Sequence, residues 1–282
     1  MSSYSLFCEI SPDLKEIVIA NGYSFGMSGS LEEASEKGFK ITCYYKDVDT
    51  LQAALKDLQE SLPELMVSTA EIQDEDWNAK WKESMKPATI APGVFASPVW
   101  LPPEISPDEH WIRIEPKMAF GTGHHATTRL AARGIRRTSN SLPSRYALLD
   151  IGCGSGVLCF MAELFGAGFT AGIDIDPVCA ENLAENRSNN KQTARGGFFV
   201  GNLDIFKYSP IFDCVVMNMI RTESEPCLDQ ILKLLKPAGR LIWSGILVEE
   251  KKLVIENAIR KGFRLREETT EEEWWCGEFG IA

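Results

Sequence analysis

The sequence predicts an α/β protein in which a doubly wound, mostly parallel sheet is preceded by a small α+β domain. From residue 111 onward, apolar runs alternate with amphipathic stretches, which is typical of strands joined by helices on both faces of a sheet. The last two strand candidates are joined by residues 269–273, which predicts an antiparallel hairpin at one edge. Residues 1–72 form a separate, more acidic segment.

The first segment, residues 1–72, is predicted to fold in the order β-α-β-α-β. Residues 4–10 and 39–45 alternate apolar and polar side chains, as half-buried strands do. Residues 50–62 place apolar side chains at helical spacing, and residues 65–72 are a further strand candidate. No catalytic pattern is present in it, so we expect a recognition domain.

Charge and cysteine content narrow the class of protein. The net charge is −11, and residues 1–75 hold 14 acidic but only five basic side chains. This argues against nucleic acid as a partner and favours a basic protein, although a well-solvated surface explains it equally well. The eight cysteines contain no Cys-x-x-Cys pair, and no signal pattern or 18-residue apolar run is present. We therefore expect a cytoplasmic protein with no membrane partner.

Residues 73–110 are predicted to connect the two domains. Residues 73–85 are predicted to form one amphipathic helix in which Trp77, Trp81 and Met85 share one face. Six prolines follow between positions 87 and 107, too many for a continuous helix or a central strand. A proline-rich linker is therefore expected ahead of a catalytic domain that spans residues 111–282.

The alternation in the catalytic domain predicts eight strands and five helices. The predicted strands are 111–114, 147–151, 169–174, 197–201, 212–217, 239–244, 262–267 and 274–281. The predicted helices are 126–137, 155–166, 177–189, 223–235 and 248–261. Ligands of such sheets bind outside the carboxyl ends of the strands, so the residues that follow each strand are the candidates for a site.

Gly152, Gly154 and Gly156 follow the strand at 147–151 and let a ligand approach the backbone closely. A dinucleotide site has the spacing Gly-x-Gly-x-x-Gly, whereas here it is Gly-x-Gly-x-Gly after Asp150. A carboxylate repels phosphate but attracts a cationic ligand. S-adenosylmethionine carries a sulfonium, an ammonium group and no phosphate, so it is favoured over a nucleotide. A glycine turn without a ligand is the remaining alternative.

Three polar residues follow later strands. Asp174 is predicted to bind the ribose hydroxyls of the cofactor. Asp204 is a candidate for the adenine amino group, or else caps a turn. Asn218 is predicted to face the crevice, where its side-chain oxygen accepts a hydrogen bond from the amine that is methylated. This makes Asn218 a catalytic candidate. No Pro-Pro-aromatic sequence follows it, which disfavours planar amines and leaves a flexible aliphatic amine.

A second glycine segment, Gly121-Thr122-Gly123, leads into the helix at 126–137. Gly121, Thr122 and Gly123 are predicted to bind the methionine carboxylate of the cofactor, because a helix N-terminus favours anions. Phe120 is predicted to close over the sulfonium or the acceptor by cation–π attraction, and is the second catalytic candidate.

Two histidines in the same segment invite a metal interpretation. Apart from His124 and His125, the chain contains only one histidine, His110. Zinc or iron sites need three or four ligands, so no metal is expected. The alternative is purely structural, with Thr127 or Thr128 capping the helix.

The segments 119–128 and 150–156 together resemble the PrmA family, the methyltransferases of large-subunit ribosomal protein L11. Further similarity at 75–82, 172–177 and 244–247 extends the resemblance over nearly the whole chain. It implies a class I, Rossmann-like methyltransferase fold, S-adenosyl-L-methionine as cofactor, and lysine side-chain or N-terminal α-amines of L11 as acceptors. It also implies that residues 1–72 recognise the ribosomal protein, and it places four residues at cofactor-binding positions: Thr128, Gly152, Asp174 and Asn218.

Two departures from the family pattern lie near the expected acceptor entrance. Lys117 replaces a glycine, and Met219-Ile220-Arg221 replaces a more apolar run. The family pattern is therefore matched at the cofactor positions but not at the acceptor entrance. Another protein or a small-molecule amine is an alternative acceptor, and a non-catalytic cofactor-binding protein is an alternative function.

Overall fold

The computed structural model describes residues 3–35, 37–72, 85–117, 120–190, 196–207 and 209–282. The chain divides into two compact units, Met1–Met85 and Lys86–Ala282. Apart from its last residue, the helix predicted at 73–85 lies outside the described residues.

The first unit is a four-stranded antiparallel sheet with two helices. Its strands are β1 (Ser3–Ile10), β2 (Gly29–Ser35), β3 (Gly38–Tyr45) and β4 (Val67–Ile72), and its helices are α1 (Lys15–Ser24) and α2 (Val48–Ser61). The strand order is β2-β3-β1-β4, which is the ferredoxin-like β-α-β-β-α-β arrangement. The core combines alternate residues of β1 and β3 with Leu51, Ala54 and Leu58 of α2, as the sequence pattern predicts.

One strand of this unit departs from the predicted order. β2 pairs with β3 at the edge of the sheet, and nearly all of its side chains are exposed or partly exposed. Because β2 buries no face, its sequence carries no alternating apolar pattern, and the prediction of only three strands was wrong.

The proline-rich segment is folded. β5 (Ala88–Ala91), β6 (Val94–Ser97) and β7 (His110–Arg113) form a three-stranded sheet. Its buried side chains belong to the same apolar core as the large sheet. Pro92 lies in the β5–β6 turn and Pro98 follows β6, so neither interrupts a strand. Residues 86–110 are therefore part of the second unit, and the strand predicted at 111–114 lies in this small sheet.

The large sheet of the second unit has seven described strands. They are β8 (Ala147–Ile151), β9 (Phe169–Asp174), β10 (Gly196–Val200), β11 (Phe212–Asn218), β12 (Leu235–Leu247), β13 (Phe263–Glu271) and β14 (Trp274–Ile281). Their order in the sheet is β10-β9-β8-β11-β12-β14-β13. The first five are parallel, whereas β14 is antiparallel to both β12 and β13. The doubly wound sheet with an antiparallel edge hairpin is confirmed.

Helices cover both faces of this sheet. They are α3 (Ala126–Ser139), α4 (Val157–Leu164), α5 (Cys179–Asn189), α6 (Arg221–Ser224), α7 (Leu228–Leu234) and α8 (Lys251–Arg260). Two large apolar clusters, one on each face, form the core. Among the residues described, no helix is long and apolar enough to cross a membrane.

Candidate active site

The glycine loop after β8 adopts a backbone conformation that favours glycine. Gly152, Gly154 and Gly156 have φ angles of 68°, 48° and 81°, in the left-handed region where a Cβ atom is strained. The loop turns the chain sharply from β8 into α4, at the edge where the carboxyl ends of β8, β9 and β11 meet.

The two glycine segments, predicted separately, lie against each other. The Ser155 backbone N–H donates to the Phe120 carbonyl oxygen at 2.9 Å, and the Ser155 hydroxyl donates to the Gly121 carbonyl oxygen at 2.7 Å. A side chain at Gly154 would collide with the Phe120 carbonyl. The segment before α3 therefore forms one continuous surface with the loop after β8.

Asp174 ends β9 and reaches back to this loop. Its Oδ2 accepts from the Gly154 N–H at 2.9 Å, and its Oδ1 accepts from the Asp176 N–H at 3.0 Å. A carboxylate offers about four acceptor sites, so each oxygen retains capacity for a ligand hydroxyl. Asp174 thus fixes the loop and faces the same edge as the glycines.

Asn218 ends β11 and contacts the first turn of α3. Its Nδ2 lies 3.4 Å from the Thr128 hydroxyl oxygen, which accepts from it. Its Oδ1 is buried and has no hydrogen-bond partner among the described residues. A buried acceptor without a partner costs about 1–3 kcal/mol, and such groups mark positions where a ligand supplies the missing donor. The structure therefore brings Thr128 and Asn218 together across 90 residues of sequence.

The histidines of the second glycine segment have structural contacts. His125, not Thr127 or Thr128, is the N-cap of α3, because its Nδ1 accepts from the Thr127 N–H at 3.3 Å. His124 Nε2 lies 2.7 Å from the Lys86 carbonyl oxygen, and its Nδ1 lies 3.2 Å from the Thr122 hydroxyl. The alternative that a threonine caps the helix was wrong, because the histidine one position earlier reaches the free N–H.

Phe120 is 56% exposed and stands at the open side of the segment. Its ring meets the His125 ring edge-on at 5.5 Å, and His125 in turn meets Trp274 of β14 at 5.1 Å. The approach of Trp274 to this site was not predictable from the sequence, because no short-range pattern joins β14 to the glycine segment.

The carboxyl groups of Asp150 and Asp204 lie in different environments, one buried in a strand and the other in an exposed turn. Asp150 is 1% exposed inside β8, and burial raises the pKa of its carboxyl to about 8. It does not form the acidic entrance that its position before the glycines suggests, since residue 150 still belongs to the strand. Asp204 lies in a short exposed turn after β10, and its Oδ1 accepts from Gln230 Nε2 at 2.8 Å.

The residues that depart from the family pattern are ion-paired. Lys117 Nζ lies 3.1 Å from Glu181 and 2.7 Å from Glu185 of α5. Arg221 pairs with Glu225 at 3.1 Å and with Glu250 at 2.7 Å. Both cations are therefore neutralised locally at the rim of the second unit.

A seven-stranded, parallel-rich sheet with an antiparallel strand next to its edge, a glycine loop after one strand and an acid at the end of the next is typical of Rossmann-like methyltransferases. The family model for ribosomal protein L11 methyltransferase (PrmA) matches residues 7–279. The chain belongs to this family.

Individual relatives agree with the family match. The chain is 30% identical over 295 residues to the ribosomal protein L11 methyltransferase of Pelobacter propionicus, covering 95% of this chain and 94% of the relative. It is 38% identical over 212 residues to that of Thermus thermophilus, covering 74% and 79%. A crystal structure of ribosomal protein L11 methylase from Lactobacillus delbrueckii subsp. bulgaricus has the same fold, with a TM-score of 0.63 at 22% identity, covering 70% of this chain and 99% of that one.

Proposed function

We propose that this protein transfers methyl groups from S-adenosyl-L-methionine to amines of ribosomal protein L11. The observation that carries the proposal is the unpartnered Oδ1 of Asn218 at the edge of the sheet, held by Thr128 and adjoining the glycine loop. The family membership and the names of the relatives support L11 as the acceptor.

The residues at this edge suit S-adenosylmethionine, which supplies an electrophilic methyl group on its sulfur atom. We assign the ribose hydroxyls to Asp174, whose carboxylate oxygens retain free acceptor sites. Gly152, Gly154 and Gly156 let the backbone approach the cofactor closely.

The methionine end of the cofactor is assigned to the second glycine segment. Gly121, Thr122 and Gly123 precede α3, whose N-terminus favours a carboxylate. Thr128 holds Asn218 in place from the first turn of the same helix. Asp204 remains the candidate for the adenine amino group, with one oxygen already bound to Gln230.

Asn218 and Phe120 are the proposed catalytic residues. Asn218 Oδ1 accepts a hydrogen bond from the N–H of the incoming amine. The nitrogen lone pair then points away from Asn218. Phe120, exposed beside the glycine loop, offers its ring face to the cationic centre. A lysine amine is neutral in only about one part in a thousand at pH 7.4, an unfavourable term of about 4 kcal/mol. Desolvation of the amine at the site lowers its pKa and so recovers part of this cost. The Asn218 hydrogen bond contributes by orienting the neutral amine.

We further propose that the first unit recognises L11, as a basic protein. Residues 1–75 carry 14 acidic and five basic side chains, and opposite charges accelerate encounter between proteins. All eight cysteines are free thiols, which suits a cytoplasmic location.

The test is to incubate the purified protein with radiolabelled S-adenosylmethionine and dissociated ribosomal proteins. We expect one labelled band, L11, and an initial rate of labelling that is lower by about tenfold or more with the Asn218→Ala variant. Asn189→Ala, at the end of α5 away from the carboxyl edge, is the matched control and should label L11 normally. Label in a different band would contradict the proposed acceptor, and no label from a protein that binds the cofactor would contradict the proposed activity.

A further inference from the structure

Four arginines converge at the edge of the large sheet that lies opposite the candidate active site. Arg240 of β12 and Arg264 of β13 both stand in register with Gly280 of β14. Residues in one row of a sheet project to the same face, so these two arginines flank a position that has no side chain.

The side chain of a third arginine, Arg266, fills the space above Gly280. The guanidinium of Arg266 lies over it, with Nη2 and Cζ at 3.1 and 3.2 Å from where a Cβ of Gly280 would be. Arg266 occupies an irregularity in the β13–β14 pairing, between Leu265 and Glu267. This irregularity turns its side chain over the neighbouring strand.

A fourth arginine reaches the same place from the helix above. Arg137 of α3 lies 3.4 Å through Nε from Glu278, and Arg240 lies 3.6 Å from the other oxygen of the same carboxylate. Arg137 Nη2 is buried without a hydrogen-bond partner among the described residues. Glu278 therefore satisfies only part of the donor capacity beside it.

The charges of this cluster do not cancel. Glu278 and the exposed Glu267 stand on the same face as the four arginines. Neither Arg264 nor Arg266 makes an ion pair within the described part of the chain, and both are exposed. The charges of Arg240 and Arg264 lower the pKa of Arg266 from its usual value. The cluster thus holds an excess of two positive charges that repel one another.

A cavity adjoins the cluster. It has a volume of about 730 Å³ and is lined by Arg240, Lys236, Asp213 and the segment 141–143. Lys236 is neutralised there by Asp213 at 2.8 Å. Of the four arginines only Arg240 lines this cavity, and its Nη1 also donates to the Ala238 and Gly239 carbonyl oxygens at 2.6 and 3.2 Å.

We propose that Arg137, Arg240, Arg264 and Arg266 form a binding site for a phosphate group. The planar guanidinium fork matches phosphate oxygens and remains charged at all physiological pH values. Convergence on one glycine favours a compact dianion over an extended polyanion. Because β14 runs antiparallel, the site lies about 20 Å from Trp274, at roughly 3.3 Å per residue, so a phosphate compound bound there leaves the candidate active site free.

The test is a calorimetric titration of the full chain with inorganic phosphate at constant ionic strength. We expect saturable binding that weakens about tenfold or more in an Arg264→Gln, Arg266→Gln double variant, as the loss of charge-assisted hydrogen bonds requires. The matched control is Lys252→Gln, Arg260→Gln, which removes two exposed cations from α8 and should leave phosphate binding unchanged.

Two further measurements keep the proposal falsifiable. Gly280→Ala places a methyl group under the flexible Arg266 guanidinium and should weaken phosphate binding without unfolding the protein. Phosphate groups also occur as the phosphodiesters of a nucleic-acid backbone. Titration with an RNA oligonucleotide without terminal phosphates tests whether the site binds these instead. Binding of the oligonucleotide but not of phosphate would overturn the compact site, and so would equal phosphate binding by the wild type and the double variant. Neither result depends on methyl transfer.

Discussion

Asp174→Ala tests the proposed cofactor site most sharply. The substitution removes the proposed ribose contacts and also the two hydrogen bonds that Asp174 accepts from Gly154 and Asp176, at 2.9 and 3.0 Å. A hydrogen bond to a charged group contributes about 1.5–3 kcal/mol, and each 1.4 kcal/mol is about tenfold in affinity. We therefore expect the dissociation constant for S-adenosylmethionine to rise by about 10- to 100-fold in calorimetric titration.

The loop should loosen as well. Asp176 is exposed, but Gly154 is buried, so its freed N–H is left without an acceptor. The cost is about 1–3 kcal/mol of unfolding free energy, or a fall in melting temperature of roughly 2–12 °C for a unit of this size. Asp176→Ala is the matched control, because it removes a neighbouring exposed carboxylate that only caps Val178. An unchanged affinity in Asp174→Ala would refute the ribose assignment. Equal weakening in both variants would show a general effect of charge.

Four other outcomes follow from the same structure. Asn218→Ala should lower kcat for methylation by about tenfold or more, from the loss of the acceptor Oδ1, with a smaller change in cofactor affinity. Gly154→Ala should abolish cofactor binding in a calorimetric titration, because its methyl group collides with the Phe120 carbonyl. A fragment of residues 86–282, which keeps both large core clusters, should bind the cofactor but fail to methylate L11 in a labelling assay; full activity would remove the recognition role of the first unit. Burial raises the pKa of Asp150 to about 8, so the folded state holds its proton more tightly than the unfolded state, and the free energy of unfolding falls as pH rises from about 4 to 8. Denaturant titrations should show the stability of Asp150→Asn relative to wild type increasing over that range, and a constant difference would contradict the buried carboxyl.

Strands of the large sheet could be predicted closely from the sequence. β8 and β9 coincide with the predicted residues, because buried parallel strands are short apolar runs bounded by turn residues. The polar edge strand β2 buries no face and left no periodic signal. The strands between residues 88 and 97 were hidden by prolines, which in fact lie beside them.

The candidate site was predictable where one residue follows one strand. Asp174 and Asn218 stand at the ends of β9 and β11 as expected, because the carboxyl ends of parallel strands share one edge. The contacts between distant segments were not predictable. Neither the packing of Ser155 against Phe120 nor the approach of Trp274 to His125 leaves a short-range pattern. Such contacts depend on how elements pack, which local periodicity does not encode.

Methylation of isolated L11 is the most direct test of the central proposal. Purified L11 is incubated with the protein and S-adenosylmethionine, and its mass and modified residues are then determined by mass spectrometry. We predict mass increases in whole methyl groups, located on lysine side-chain or N-terminal amines, and formed more slowly by about tenfold or more with Asn218→Ala. Unmodified L11, under conditions in which calorimetry shows the cofactor bound to the wild type, would contradict the proposal.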